Sequence, residues 1–167
     1  GSLSDTQTVT VNVTDVNEVS TITSLETGSV AENADITTVI YDAEATDPDG
    51  DTLTYSVSGT DASYVEIDSD DGEIRLLNPA DYETKDSYTF DVTASDGELS
   101  DTQTVTVGVL DINEAPIINE PYATSIEENS SVNTVIYQTD ATDPDGDILT
   151  YTVSGTDASY ISIDTDG

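Results

Sequence analysis

The 167-residue chain contains no Cys, His, Met or Trp, and its 36 acidic residues face only 2 basic ones, Arg75 and Lys85. Each absence removes a class of chemistry. Without imidazole or thiolate there is no ordinary zinc centre, no thiol nucleophile and no triad built on an imidazole base. Without cysteine no disulfide can staple the fold, which suits the cytosol and suits equally a secreted protein that uses a metal instead. A formal net charge of −34 repels phosphate backbones and anionic lipid surfaces. Nucleic acid is thereby excluded as a partner, and cations are the natural counterpart. No apolar run approaches the length of a membrane span, so direct membrane insertion is excluded as well. Gly1-Ser2 reads as a cloning remnant, which makes the chain an excised fragment.

What the sequence does have is self-similarity. Ser4-Asp5-Thr6-Gln7-Thr8-Val9-Thr10-Val11 returns as Ser100-Asp101-Thr102-Gln103-Thr104-Val105-Thr106-Val107, and Asp47-Pro48-Asp49-Gly50-Asp51 returns as Asp143-Pro144-Asp145-Gly146-Asp147. Both pairs are offset by 96 residues (4 to 100, 47 to 143), so one gapless shift aligns the chain with itself. That is a tandem array. The complete repeat is placed at 19–114, preceded by the last strand and linker of another copy (1–18) and followed by the N-terminal half of a third (115–167).

Within the repeat the apolar period is two, as a strand with one buried face requires. Tyr88, Phe90, Val92 and Ala94 alternate with Thr89, Asp91 and Thr93; Val105, Val107 and Val109 alternate with Thr104, Thr106 and Gly108; Leu53, Tyr55 and Val57 alternate with Thr54, Ser56 and Ser58. Gly, Asp, Asn and Pro separate these runs, and no stretch longer than a turn has a helical period. The expected fold is all-β: a Greek-key sandwich of seven strands near 21–27, 36–44, 52–59, 63–68, 73–77, 87–95 and 101–110.

Successive antiparallel strands reverse direction, so connections sort by parity to the two ends of such a sandwich. One end receives Glu32, Asp81 and Glu83, and the chain leaves it through Asp111, Ile112, Asn113 and Glu114. The other receives Asp47, Asp49 and Asp96, and the chain arrives there through Asp15, Val16, Asn17 and Glu18. Two carboxylates about 5 Å apart repel by roughly 3 kcal/mol at an effective dielectric of 20, so clusters of this kind call for a counter-cation. Ligands that are all hard oxygens, enough for six to eight contacts, suit Ca²⁺ better than Mg²⁺, and far better than zinc or copper. Asp-Pro-Asp-Gly is also good turn chemistry without any metal. Asp68, Asp70 and Asp71 have no tie to the linker acids and are read as a solvated turn between strands.

These strings resemble the cadherin repeat over the whole chain. Ala31-Glu32-Asn33 is similar to the family's Pro-Glu-Asn, Asp47-Pro48-Asp49-Gly50 to Asp-x-Asp-x-Gly, and Asp81-Tyr82-Glu83 to Asp-Arg-Glu. Ala94-Ser95-Asp96-Gly97 resembles Ala-x-Asp-x-Gly, and Asp111-Ile112-Asn113-Glu114-Ala115-Pro116 the linker Asp-x-Asn-Asp-Asn-x-Pro, here without its second Asn. The resemblance implies an immunoglobulin-like sandwich with Ca²⁺ between repeats. By that carry-over one junction takes Glu32, Asp81 and Glu83, then Asp111, the Ile112 carbonyl, Asn113 and Glu114, then Asp143 and Asp145. The upstream junction takes Asp15, Val16, Asn17 and Glu18 with Asp47, Asp49 and Asp96. The missing linker Asn bears on how many ions a junction can hold, and Ser20, where the second linker has Pro116, makes the first linker less constrained.

Extreme acidity, lack of Cys and near-identical repeats resemble the bacterial branch of the family, long extracellular adhesins often exported by type I secretion. The implied function is a Ca²⁺-stiffened extender of a large cell-surface protein, with adjacent repeats as its partners. The alternative is a module that recognises other cells, homophilic copies or polysaccharide. Tyr64 and Tyr160, at matched positions in Thr-Asp-Ala-Ser-Tyr, are expected to cap the core instead. An enzyme is not expected, since paired acids such as Asp81 and Glu83 lie in a dense field of other acids without an apolar cleft to raise one pKa.

Overall fold

The computed structural model describes residues 1–119 and 124–165. The chain divides into two compact units, Gly1–Leu110 and Asp111–Gly167, each taken by itself below.

In the first unit, the longest period-two runs give the longest strands. β8 (Ser87–Ser95) and β9 (Ser100–Leu110) pair antiparallel from Ser87↔Gly108 to Ser95↔Ser100. Tyr88, Phe90, Val92 and Ala94 enter the core while Thr89, Asp91 and Thr93 face outward, as the pleat dictates. β5 (Thr54–Ser58) pairs antiparallel with β8, and β2 (Thr27–Ala31) pairs parallel with β9, giving a four-stranded sheet ordered β2-β9-β8-β5. β3 (Val39–Asp42), β7 (Glu73–Leu76) and β6 (Val65–Ile67) form the facing sheet in the order β3-β7-β6. Phe90, Ile74, Val92, Val105 and Val107 are essentially inaccessible to solvent between the two sheets. Each such side chain contributes about 1.5–3 kcal/mol by leaving water. Tyr41 meets Phe90 edge-on, with ring centroids 6.5 Å apart.

The first expected strand, 21–27, is two strands. β1 (Thr21–Ile22) pairs with β4 (Ala45–Thr46), and the chain then crosses to β2 in the four-stranded sheet. Backbone bonding explains the break: Thr23 N and Ser24 N both donate to the Glu44 carbonyl, at 2.7 and 3.3 Å, which ends one ladder. The Glu26 carbonyl then accepts from Thr106 N at 2.9 Å and begins the next. The expected strand 36–44 is likewise shortened to β3, with a register shift between Val39 and Tyr41, and its continuation becomes β4. The turn after β6 depends on Gly72, whose φ is +81° and where a Cβ would stand 2.4 Å from the Ala43 carbonyl oxygen. Asp68 Oδ1 accepts from Asp70 N at 3.0 Å and Asp71 Oδ1 from Glu73 N at 3.2 Å, so these exposed acids form the turn itself.

In the second unit, β10 (Ile117–Ile118) pairs with β11 (Ala141–Thr142) in the register of β1 with β4, shifted by the repeat. A 3-10 turn at Ala158–Tyr160 matches one at Ala62–Tyr64 in the first unit.

Candidate metal centre

The acids that share an end of the first unit are built around one loop. In Asp47-Pro48-Asp49-Gly50-Asp51, Asp47 Oδ1 accepts from Asp49 N at 2.9 Å and Asp51 N at 3.3 Å. The Asp47 carbonyl accepts from Gly50 N at 3.2 Å. An Asp here folds its own turn with one oxygen. The other, Asp47 Oδ2, is shielded from solvent and has no hydrogen-bond partner among the described residues. Asp49 Oδ2 accepts from Glu18 N at 2.9 Å, which fastens the preceding linker to the loop. Asn17 Nδ2 donates to Asp96 Oδ2 at 3.0 Å, fastening it a second time to the β8–β9 turn. Carboxylate oxygens of Asp15, Glu18 and Asp49 lie within 4.8 Å of one another, as do those of Asp47, Asp49 and Asp51. Val16 is exposed, so its backbone carbonyl is what it offers.

Crowding acts on these acids in opposite directions. The Asp49 carboxyl beside Glu18, by hydrogen bond and then by charge, raises the Glu18 pKa above the usual carboxylate value. Asp96 goes the other way: the Leu99 and Glu98 N–H groups, then the Asn17 amide, hold it below that value.

At the opposite end of the same unit, Glu32 is 3% exposed, and its Oε2 accepts from Tyr82 N at 2.9 Å. Asn33 takes a left-handed conformation, φ 57°, and donates its backbone N–H to Ala80, completing the bend that carries Glu32 inward. Glu83 places a carboxylate oxygen within 4.8 Å of one of Glu32. Asp81 is not in that close set. Its two oxygens accept from Thr84 N and Thr84 Oγ1 at 2.9 and 3.0 Å, closing the turn before β8.

The second unit repeats the linker-to-loop geometry at the expected offset. Glu114 N donates to Asp145 Oδ2 at 2.7 Å, as Glu18 N does to Asp49. Asp143 Oδ1 accepts from Asp147 N at 3.2 Å, and oxygens of Asp111 and Asp145 lie within 4.8 Å. Asp145 Oδ1 is shielded from solvent and has no hydrogen-bond partner among the described residues. Asn113 Nδ2 donates to the Glu114 carbonyl at 3.2 Å, and Ile112 is exposed.

Three residues stand differently from the sequence expectation. Asp51 joins Asp47 and Asp49 in a close set, and its recurrence as Asp147 in the repeated pentapeptide was the available signal. Tyr64 and Tyr160 do not cap the core: they are 48% and 84% exposed, and the short 3-10 turns that carry them bury no residue.

Every donor in these sets is an oxygen, and Asp47 Oδ2 and Asp145 Oδ1 are buried acceptors that no protein donor satisfies among the described residues. A buried anionic oxygen in that state costs free energy that a hard cation recovers, so the residues fit calcium. A two-sheet sandwich in a sequence that repeats in tandem, with oxygen-only acid clusters, defines the class. The Cadherin domain family matches residues 26–110, and the chain belongs to the cadherin family. It is 39% identical to Cadherin-8 of Rattus norvegicus over 87% of this chain and 21% of the relative, and 36% identical to Cadherin-23 of Mus musculus over 70% of this chain and 4% of that protein. The crystal structure of human CDH23 EC21-23 superposes with a TM-score of 0.65 at 26% identity, over 86% of this chain and 53% of that one. Human Protocadherin-24 EC1-2 Form II gives 0.59 at 28%, over 71% and 55%. The chain thus spans about a fifth of the length of Cadherin-8. Cadherin repeats are extracellular, calcium-binding adhesion modules.

Proposed function

We propose that this chain is an extender segment of a large cell-surface adhesin whose successive repeats are stiffened by calcium at the linkers. The observation that carries the reading is the twice-built clamp: Glu18 on Asp49 and Glu114 on Asp145, each beside a buried carboxylate oxygen without a protein donor among the described residues. Asp111, the Ile112 carbonyl, Asn113 and Glu114 would hold the ion together with Asp143 and Asp145, with Glu32, Asp81 and Glu83 as the remaining ligands of that set. Asp15, the Val16 carbonyl, Asn17 and Glu18 would do so with Asp47, Asp49 and Asp96, and Asp51 adds an oxygen within reach of that set. Calcium, when bound, supplies the charge that cancels repulsion among these carboxylates. The backbone N–H groups of Glu18, Asp49 and Asp51 already hold the loop in its binding shape, so less ordering entropy is lost on binding.

The role is mechanical spacing of a more distal adhesive element, outside the cell, where calcium is millimolar. Absence of Cys, an acid-to-base balance of 36 to 2 and near-identical repeats support a bacterial surface as the setting. Small-angle scattering of the whole chain with calcium and with chelator tests the reading. A narrower spread of conformers with calcium is expected, and identical profiles in both would contradict it.

A further inference from the structure

A cavity of about 260 Å³ opens in the first unit, between the Ala62–Tyr64 turn and the segment leading into β8. One wall is aromatic. Tyr64 and Tyr88 lie 5.6 Å apart at 56°, and although Tyr88 is buried, Tyr64 is half exposed. The Lys85 ammonium sits 5.7 and 5.4 Å from the two ring centroids. It is fixed there by Asp61, 3.1 Å away and buried, whose other oxygen accepts from Thr89 N at 2.8 Å. Leu76, Asn78, Pro79, Asp81 and Thr84 complete the lining. Tyr64 and Asn78 both stand exposed at the mouth of the cavity.

Charge narrows the class of ligand. A cation meets Lys85 already placed over both rings, so the aromatic faces cannot serve as a cation cage. An anion meets a chain of net charge −34, and the one local cation is neutralised by Asp61. A purely apolar ligand would strip water from the exposed Asn78 amide without replacing it. What remains is a neutral, polyhydroxylated ring with an apolar face for Tyr64 and hydroxyls for Asn78 and Lys85. We propose that this cavity is a shallow site for one neutral pyranose unit of a polysaccharide. The Thr-Asp-Ala-Ser-Tyr turn recurs at 156–160 with its 3-10 geometry, so an array offers the Tyr platform once per repeat, and weak single contacts gain from multivalency.

The test is an NMR titration of the whole chain in calcium with methyl glucoside, methyl mannoside, methyl galactoside and neutral dextran, with methyl glucuronide and glucosamine as charged counterparts. At least one neutral sugar is expected to shift the signals of 62–64 and 78–88 with a Kd on the order of 1 mM. Tyr64→Ala is expected to weaken that binding about tenfold or more, while Tyr64→Phe keeps the stacking face and most of the affinity. Asn78→Ala, at an exposed position, gives a second loss should Tyr64→Ala disturb the fold. No shift with any neutral sugar, binding that survives both Tyr64→Ala and Asn78→Ala, or preference for a charged sugar would each overturn the assignment. Calcium affinity measured on the same samples reports on the linker reading separately, because Tyr64 and Asn78 lie outside its ligand set.

Discussion

Ser4–Val11 and Ser100–Val107 are the same eight residues, yet the second copy lies within β9 and the first has no regular secondary structure. Leu53–Tyr64 and Leu149–Tyr160 differ only at Ser56/Thr152, yet 54–58 is β5 and 150–154 is not a strand. The difference lies in the neighbours. β9 is hydrogen-bonded on both sides by β8 and β2, and β5 lies against β8; 4–11 and 150–154 have no paired strand among the described residues. β-structure in this sequence is a property of pairs, because an extended segment satisfies its backbone only through a partner. Turns behave otherwise. The bond from Tyr64 N to the Asp61 carbonyl is 2.9 Å, and that from Tyr160 N to Asp157 is 3.0 Å, although only the first turn packs against β8. The Asp47 and Asp143 loops match just as closely. Short-range polar chemistry survives without the sandwich, and the acids proposed to hold calcium are placed on it.

The comparison can be broken most forcefully at its centre. Phe90→Ala removes the largest fully buried side chain from β8 and is expected to cost about 3–5 kcal/mol in urea denaturation. If β5, β8 and β9 persisted unchanged in that variant, pair dependence would fail as an explanation. A smaller effect separates Asp61 from its repeat counterpart Asp157. Asp61→Ala leaves Thr89 N and Lys85 without their acceptor and is expected to cost about 1–3 kcal/mol, whereas Asp157→Ala, at an exposed position, stays within about 0.5 kcal/mol. The pH dependence has a defined sign. The Thr89 N–H, then Lys85, depress the Asp61 pKa in the folded chain, so its stabilisation is complete above the ordinary carboxylate value. It disappears as pH falls through the lower folded value, and Asp61→Asn is expected to flatten that acid limb. The smallest effect sharpens the identical octapeptides. Thr102 shares a 2.9 Å hydroxyl contact with Thr93 across β8 and β9, and Thr102→Ala is expected to cost about 0.2–1 kcal/mol. Thr6→Ala, the same residue without a partner strand, should leave the unfolding midpoint where it is.

The same distinction explains what could be read from the sequence. β5, β8 and β9 were legible because one face of each is apolar at every second position, and burial follows that alternation. The split of 21–27 into β1 and β2 was not, because the crossing at Thr23–Glu26 is set by the Glu44 carbonyl, a partner that periodicity does not encode. Parity of the connections sorted Asp47, Asp49, Asp96 and the 15–18 linker to one end, and the structure brings them together there. Asp51 lies one residue beyond Asp47-Pro48-Asp49-Gly50, the string matched to Asp-x-Asp-x-Gly, so the resemblance did not include it, and the fold of the loop brings its carboxylate to Asp47 and Asp49. Tyr64 was misplaced because a tyrosine beside a strand more often packs inward, and here the 3-10 turn holds it half exposed beside Lys85.

The most direct measurement is a calorimetric calcium titration of the whole chain beside an Asp111→Ala, Asp143→Ala double variant, with circular dichroism to follow the fold. The account predicts that the double variant loses one high-affinity class of calcium sites, keeps its β-sheet signal, and retains binding at Asp15, Glu18 and Asp49. Equal calcium binding by both proteins, or none by either, would contradict it.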